Sequence, residues 1–409
     1  MNATRPPLRP LDDALAALLE QARPLAGAES VATFDADGRV LAEDLVSALQ
    51  VPPQDNSSMD GYAVRRGEIA DEGVPLPVSQ RVPAGTAPQP LQPGTAARIF
   101  TGAPVPAGAD AIVMQEDTES LADGRVRILR MPSEGQWIRR SGEDITRGST
   151  VLARGERLGP PAQGLAASIG RDRLQVARRP RVALFSTGDE LVMPGQVAPE
   201  AMPPGAIYNS NRFFLRSLLL RLGCEVRDFG IVPDRRDATV QALRAAAADN
   251  DLILTSGGVS VGEEDHIKPA VEQLGSLALW QIAMKPGKPF AYGTVGQAHF
   301  IGLPGNPVSS FVTFLLLVRP FLLKLQGATQ LWPVALQLPA HFDWPRPDKR
   351  REFLRARRNA AGGVELFANQ SSGVLTSTVW ADGLVDVPAG ATIAHGQAMR
   401  FLPLAELLA

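Results

Sequence analysis

The sequence has a single cysteine, Cys224, among its 409 residues. A lone thiol cannot form an internal disulfide, and a zinc site built from cysteines needs more sulfur ligands than one. An internal disulfide and a zinc site built from cysteines are therefore both excluded within this chain. Because Cys224 follows an apolar run and Gly223, we expect it to be packed as a small hydrophobic residue and not to act as a reactive thiolate.

Long hydrophobic runs and an excess of one charge are also missing. The longest apolar run, residues 311–318, is too short to span a bilayer and predicts a buried helix. The N-terminal segment is interrupted by Asp12, Asp13 and Glu20, which predicts an amphipathic helix and not a signal peptide. With 41 basic and 43 acidic residues, the net charge of -2 gives no reason to expect DNA or another bulk polyanion. We therefore expect a cytoplasmic protein with neither a nucleic-acid nor a membrane partner.

The length of the chain exceeds the size at which one hydrophobic core usually stops growing. Residues 1–49 predict a helix at about 11–23 and a strand at 39–42. Residues 50–146 carry many prolines and glycines between short apolar runs, which predicts a small β domain. Residues 147–179 are mixed again and include another helix. We therefore expect the first and third pieces to form one discontinuous domain into which the β domain is inserted.

From residue 180 to about residue 329, apolar strands alternate with helices. The predicted strands are 181–186, 225–232, 251–256 and 300–303, and the predicted helices are 209–222, 237–249, 265–274 and a long one from Pro307. This alternation predicts a parallel sheet with helices on both faces, a three-layer α/β domain. Asp237 and Asp265 are the expected N-caps of two helices. Residues 330–409 return to short strand-like runs and predict a C-terminal β barrel or sandwich.

Three of the predicted strand ends are rich in glycine and small polar residues. They contribute Ser186, Thr187 and Gly188 from the first loop, Ser256, Gly257, Gly258 and Ser260 from the second, and Pro304, Gly305, Asn306 and Pro307 from the third. Ligands of open α/β sheets bind at these ends of the strands, where bare amides and a helix N-terminus can hold anions. A tight turn would explain any one loop. Three such loops in one sheet predict a phosphate or oxyanion site.

Lysines and carboxylates are placed beside the same loops. The chain has only five lysines, and three of them cluster in one stretch. Lys285 and Lys288 in that stretch lie on a stiff Pro-Gly frame, where a compact ammonium suits an oxyanion. Carboxylates beside a phosphate site repel the ligand unless a cation lies between them, so Asp189, Glu190 and Asp265 are candidate Mg²⁺ ligands. Helix capping is an equally good explanation of Asp265 alone.

The stretch 258–262, Gly-Val-Ser-Val-Gly, also matches the nucleophile elbow of serine hydrolases. Such an enzyme needs a histidine base that follows the catalytic acid in chain order. His266 is too close in sequence, His341 and His395 belong to another predicted domain, and His299 opens a strand. A hydrolase is therefore a minor alternative, which labelling of the serine by a fluorophosphonate would support.

Seven strings of the sequence occur in one characteristic order. They are Asp55-Asn-Ser-Ser-Met-Asp-Gly-Tyr-Ala-Val, Thr101-Gly-Ala-Pro-Val-Pro, Ser141-Gly-Glu-Asp-Ile, Ser186-Thr-Gly-Asp-Glu-Leu, Ser256-Gly-Gly-Val-Ser-Val-Gly, Lys285-Pro-Gly-Lys-Pro and Leu303-Pro-Gly-Asn-Pro-Val-Ser. Together they resemble the molybdopterin molybdenumtransferase family, which includes the insertase domain of gephyrin. The match covers about residues 10–325, and Arg350-Arg-Glu-Phe adds a weaker one beyond. No single string is decisive, whereas the ordered set is specific.

The resemblance implies an elongated homodimer of four-domain subunits: a discontinuous N-terminal dimerisation domain, the β insert, a molybdopterin-binding α/β domain and a C-terminal β-barrel-like domain. It places the active cleft between the α/β domain of one subunit and the β insert of the other. The functional positions carried over are Asp60, Thr101, Asp144, Glu190, Asp234, Asp265, Lys285, Lys288, Pro304 and Pro307. At Asp234 the sequence departs from the family, because Arg235 follows where a second acid or an asparagine is more usual.

The resemblance also implies a reaction. Molybdenum from molybdate would be inserted into adenylylated molybdopterin, with Mg²⁺ as cofactor and AMP as the released product. A transient complex with the molybdopterin-adenylylating protein is a further expectation. Two alternatives remain open, which are a pterin-binding scaffold without turnover and a molybdopterin adenylyltransferase.

Overall fold

A computed structural model describes residues 8–258 and 266–408 of the chain. The helices up to residue 179 are α1 (Leu11–Gln21) and α2 (Pro160–Ser168). The strands of the same part are β1 (Ala28–Ala32), β2 (Leu45–Val46), β3 (Asn56–Ser57), β4 (Gly61–Val64), β5 (Pro75–Val82), β6 (Ala96–Ile99), β7 (Ala111–Met114), β8 (Thr118–Ser120), β9 (Arg125–Ile128), β10 (Ile138–Arg139), β11 (Thr150–Leu152) and β12 (Arg173–Ala177).

The two pieces on either side of the insert pair with each other. Strand β1 is antiparallel to β12, and β2 is antiparallel to β11. The predicted strand at 39–42 is wrong, because Val40 and Leu41 form only isolated bridges. Strand β1 was not predicted, since its sequence Ala-Glu-Ser-Val-Ala is largely exposed and has almost no apolar alternation. The domain boundaries themselves stay a prediction.

Residues 50–146, all of which the structure describes, contain strands and short 3₁₀ turns but no α-helix, as predicted. Six of the strands form a sheet in the order β7-β4-β6-β5-β9-β8. Apolar clusters lie on both of its faces, one around Val64 and Ile128 and the other around Ala63 and Ile99. The insert therefore has a small hydrophobic core of its own.

The third part of the chain is the α/β domain. Its strands are β13 (Arg181–Thr187), β14 (Leu191–Val192), β15 (Ile207–Tyr208), β16 (Glu225–Val232), β17 (Leu252–Ser256), β18 (Gly275–Gln281), β19 (Met284–Lys285), β20 (Pro289–Val295) and β21 (Ala298–Leu303). Its helices are α3 (Asn211–Arg221), α4 (Arg236–Asp249), α5 (Ile267–Leu274) and the continuous α6 (Pro307–Leu325). The order of the main sheet is β16-β13-β17-β21-β20-β18.

The first four strands of this sheet are parallel, as predicted, but β20 runs antiparallel to β21, and β18 pairs with β20 in antiparallel fashion. An entirely parallel sheet was therefore a wrong expectation. Only residues 296–297 separate β20 from β21, and Gly296 has a φ of +59°. Two residues suffice for a hairpin, whereas a parallel connection needs a dozen or more. The short connection thus dictates the antiparallel edge.

Helices cover both faces of the sheet. Val182 and Leu184 of β13 face the cluster that contains α3 and α6, while Ala183 and Phe185 face α4 and α5. This alternation follows from the two-residue period of a strand. Helix α6 is apolar and long enough to cross a membrane by composition, with a mean hydropathy of 1.8, but 89% of that window is buried inside the protein. It is therefore the core helix that the sequence predicted.

The helix ends agree only partly with the predictions. Ser210 holds the N-cap position of α3, and Oδ1 of Asn209 just before it accepts a hydrogen bond from the Arg212 amide at 3.2 Å. Asp237 is not an N-cap, because α4 begins at Arg236 and Asp237 lies in its first turn. The predicted cap Asp265 lies outside the described residues. Cys224 is buried, and burial raises the pKa of its thiol to about 12, as expected for a packed residue.

The C-terminal part contains strands β22 (Leu336–Pro339), β23 (Arg351–Arg358), β24 (Val364–Leu366), β25 (Gly383–Val387) and β26 (Ala398–Pro403), with short helices α7 (Thr376–Trp380) and α8 (Leu404–Leu407). The strand order is β19-β23-β25-β26-β22, and β24 pairs with β23. Ala340, directly after β22, bridges to Val364 of β24. This bridge joins the end of β22, at one edge of the sheet, to β24, which pairs with β23 near the other edge, and gives the sheet its barrel-like closure. Strand β26 and both helices were not predicted.

Candidate active site

The loops rich in glycine lie side by side at one edge of the main sheet. The parallel strands β13, β17 and β21 are in register, with Ser186 opposite Ser256 and Ser256 opposite Leu303. The buried hydroxyls of Ser186 and Ser256 are 3.3 Å apart, and the amide of Gly257 donates to the carbonyl of Leu303 at 3.0 Å. The predicted convergence of the three strand ends is therefore present.

Glycine is required where the first two loops meet. Gly257 has a φ of +90°, and a Cβ atom there would lie 2.8 Å from the carbonyl oxygen of Thr187. At Gly258 a Cβ atom would lie 2.6 Å from Cδ1 of Ile267 and 2.8 Å from Oγ1 of Thr187. That buried hydroxyl has no hydrogen-bond partner within the described ranges. The two loops thus leave no room for a side chain at either glycine.

The third loop lies against the second and leads directly into a helix. A Cβ atom at Gly305 would be 3.9 Å from Cα of Gly257, and the Gly305 carbonyl accepts a hydrogen bond from Asn211 Nδ2 at 2.7 Å. Asn306 occupies the N-cap position of α6, and Pro307 is its first residue. Helix N-termini carry partial positive charge and unpaired amides. One of these amides, that of Val308, donates to the carbonyl of Ser372 in the C-terminal domain.

Three carboxylates gather at the same sheet edge. Asp189 and Glu190 follow β13 and are exposed, while Asp234 follows β16. The Asp234 amide lies 3.4 Å from Oδ1 of Asp189. Asp265, the third residue that we expected to bind metal, lies outside the described residues, as does Ser260. Within residues 8–258 and 266–408, no three His, Cys, Asp or Glu side chains are grouped closely enough to hold a metal ion.

The two predicted lysines reach this edge from the antiparallel side. Since β20 runs opposite to β21, Lys288, directly before β20, lies near the end of β21, where Pro304 follows. Lys285 is not simply exposed to solvent. Its Nζ atom is 2.8 Å from Oε1 of Glu352 and 3.5 Å from Oδ2 of Asp348, both in the C-terminal domain. Sequence reasoning missed both acids, although Glu352 belongs to the string Arg-Arg-Glu-Phe.

The insert carries a second group of predicted residues. Oδ1 of Asp60 accepts hydrogen bonds from the amide and from the hydroxyl of Thr101, each at 2.8 Å. The backbone hydrogen bond of Thr101 is the main reason why the pKa of Asp60 is lowered, so Asp60 remains a carboxylate. Asp144 is exposed, and its amide donates to Val51 at the base of the insert. These partners all belong to the insert, so the contacts do not join this group to the sheet edge.

The histidines give no support to a serine hydrolase. His299 lies opposite Leu252, at the start of both strands, whereas residues 258–262 follow the other end of β17. A strand of five residues separates these ends by roughly 15 Å. His341 and His395 stack on each other in the C-terminal domain with ring centroids 5.4 Å apart. Ser260 itself lies outside the described residues, and neither arrangement places an imidazole at the described end of β17.

Comparison with protein families assigns nearly the whole chain. Residues 9–170 match the model of the MoeA N-terminal region (domain I and II), and residues 337–404 match that of the MoeA C-terminal region (domain IV). Residues 183–324 match the model of a probable molybdopterin binding domain. The chain belongs to the MoeA family. The predicted family and fold class are thereby confirmed.

Individual MoeA relatives agree with this assignment. A protein of Haemophilus influenzae named molybdopterin molybdenumtransferase is 43% identical over 333 residues, 81% of this chain and 80% of that protein. A Nostoc protein of the same name is 36% identical over 391 residues, 92% of this chain and 88% of that protein. The crystal structure of a molybdopterin biosynthesis MoeA protein from Pyrococcus horikoshii superposes with a TM-score of 0.84 at 28% identity, covering 97% of this chain and 100% of that one.

Proposed function

We propose that this MoeA protein inserts molybdenum from molybdate into adenylylated molybdopterin and releases AMP. Two observations support the proposal: the relatives that match most of the chain are named molybdopterin molybdenumtransferase, and three amide-rich loops meet at one sheet edge. Adenylylated molybdopterin carries phosphates and molybdate is a tetrahedral oxyanion. Both suit close-packed amides, a helix N-terminus and lysines.

The roles of the residues follow from their positions. The backbones of Ser186–Gly188 and Ser256–Gly258, with the loop 304–307, would hold the phosphates of the substrate. Lys285 and Lys288 would hold oxyanions. Ser260 and Asp265 keep their sequence-based roles in substrate binding and in catalysis as part of this proposal.

One or two carboxylates are enough for a Mg²⁺ ion that also binds phosphate oxygens and water, and this supports the proposal of a divalent cation at this edge. Asp189 and Glu190 are exposed carboxylates beside the phosphate loops, and oxygen ligands of this kind suit Mg²⁺, which completes its shell with water and phosphate oxygens. We assign Asp189 and Glu190, with Asp265, to this ion. When bound, it would neutralise the phosphates and polarise the phosphoanhydride.

The contacts of the insert group support the proposal of a homodimer. Asp60 and Thr101 are hydrogen-bonded to each other but have their recorded contacts within the insert, so we propose that they complete the cleft of a partner subunit in a homodimer.

A mixing experiment tests the shared cleft. The variants Asp60→Asn and Glu190→Gln are each expected to be inactive as homodimers. After subunit exchange, half of the dimers are mixed and each contains one intact cleft, so about one quarter of wild-type activity should return. Failure of the mixture to regain activity, with exchange shown by native mass spectrometry, would mean that each subunit forms its site alone.

The reaction itself is tested with purified protein, adenylylated molybdopterin, Mg²⁺ and molybdate. We expect AMP release that depends on molybdate, together with reconstitution of a cofactor-free molybdenum enzyme. Tight pterin binding without AMP release would indicate a scaffold. Formation of adenylylated pterin from ATP would indicate an adenylyltransferase. Omission of Mg²⁺ in the same assay tests the cation.

We also propose a cytoplasmic location and a transient complex with the molybdopterin-adenylylating protein. Direct transfer would keep the adenylylated intermediate out of bulk water. Surface plasmon resonance between the two purified proteins would measure the complex, and its absence at micromolar concentration would argue for free diffusion of the intermediate.

A further inference from the structure

The C-terminal domain extends its sheet onto the segment that carries Lys285. Strand β19 (Met284–Lys285) pairs in parallel with β23 (Arg351–Arg358), and Lys285 stands opposite Glu352 in the register. The amide of Arg351 also donates to the carbonyl of Ala283 at 2.9 Å. The backbone position of the lysine is therefore set by the C-terminal domain as well as by the α/β domain.

The carboxylate of Glu352 forms an ion pair at one oxygen and accepts a hydrogen bond at the other. Only 2% of its side chain is exposed, Oε1 lies 2.8 Å from Nζ of Lys285, and Oε2 accepts a hydrogen bond from Nε1 of Trp344 at 2.9 Å. A buried carboxylate is costly unless it is paired. Lys285 supplies the pairing charge, and the indole fixes the direction from which the carboxylate meets it.

A second carboxylate lies near the same ammonium. Oδ2 of Asp348 is 3.5 Å from Nζ of Lys285, but Asp348 is already held by two side-chain hydrogen bonds from Arg350, at 3.0 and 2.8 Å. These bonds are the main reason why the pKa of Asp348 lies well below its usual range. An ammonium has three donors. Oε1 of Glu352 accepts no hydrogen bond from any described residue, and 43% of the Lys285 side chain is exposed, so the ammonium keeps donors for an anion.

We propose that Glu352 is a positioning residue that holds the ammonium of Lys285 in the direction required by the oxyanion. The proposal rests on the role of Lys285 given above. A lysine side chain otherwise populates many rotamers, and binding an anion would require it to give up that freedom. Glu352 and its indole partner remove most of this freedom before the oxyanion arrives, as preorganised sites do.

The test is a double-mutant cycle read by calorimetric titration of molybdate. Glu352→Ala should weaken molybdate binding about tenfold, the factor expected when a free lysine must lose most of its rotamer freedom on binding. In the background of Lys285→Met, the same change should have no further effect. A control, Glu365→Ala, removes the ion pair to Arg357 in the same domain and should leave molybdate binding unchanged.

The outcomes separate this inference from its alternatives. Tighter molybdate binding by Glu352→Ala would show that the carboxylate acts by repelling the anion, and the inference would be wrong. An equal loss with and without Lys285 would indicate general loosening of the C-terminal domain and would also refute it. If wild-type protein releases no AMP while the cycle shows coupling, the proposed reaction fails and the positioning role stands.

Discussion

The close approach of two loop backbones at Gly257 can be tested by adding a single methyl group. Gly257→Ala would place a Cβ atom 2.8 Å from the carbonyl oxygen of Thr187 while φ is +90°. The left-handed backbone alone costs an alanine about 1–2 kcal/mol. The contact adds about 1–3 kcal/mol, because a backbone atom and not a flexible side chain must move.

Gly205→Ala is the matched control within the same domain. Its φ is +80°, but a Cβ atom there meets nothing within 4 Å. The difference in unfolding free energy between the two variants, measured by urea denaturation, isolates the contact and should be about 1–3 kcal/mol. Gly257→Ala should also bind molybdate more weakly when folded. Equal stability of the two variants would refute the close packing of the loops.

Three further results are expected. Thr101→Val removes one of the hydrogen bonds that lower the pKa of Asp60, so the pKa should rise and the acidic limb of the pH profile of AMP release should move to higher pH. Burial raises the pKa of Asp251, but hydrogen bonds from Arg178 and from the Arg181 amide outweigh it, so the pKa is lowered. The contribution of Asp251 to stability should therefore be present at neutral pH and lost as the pH falls through its lowered pKa. In Asp251→Asn, the unfolding free energy measured by circular dichroism should depend less on pH in the acid range. Cys224 should resist alkylation at pH 8 in folded protein and react fully in urea, because burial raises its pKa to about 12; rapid labelling of the native state would contradict its burial.

The sheet-edge loops could be predicted because the signal is local. Each glycine loop directly follows an apolar strand, and Pro307 marks the start of a helix within five residues of a strand end. The antiparallel edge was missed although residues 296–297 are too few for a crossover. Strand β1 was missed for a different reason. It is an exposed strand without alternating apolar residues, and it is a strand because it pairs with β12.

The ion pairs of Lys285 could not be predicted from the sequence, because they join residues that are far apart along the chain. Glu352 lies 67 positions along the chain from it, and only the pairing of β19 with β23 brings the two together. The string Arg-Arg-Glu-Phe drew notice through resemblance, but nothing in its composition says which charge it meets. Ion pairs between domains depend on tertiary placement, so the residue types of the site could be predicted but their neighbours could not.

The base of the insert has a consequence for how the protein folds. Val51 and Ile145 form a bridge, so the two ends of the insert meet. Strands β1 and β2 precede the insert in the chain, and their partners β12 and β11 follow it. Closing a disordered loop of this length costs about 4 kcal/mol, and closing one of a few residues costs about 1–2 kcal/mol. An insert that folds first on its own core therefore shortens the loop for the rest of the N-terminal domain, and we expect the domain that begins the chain to be completed after the one it encloses.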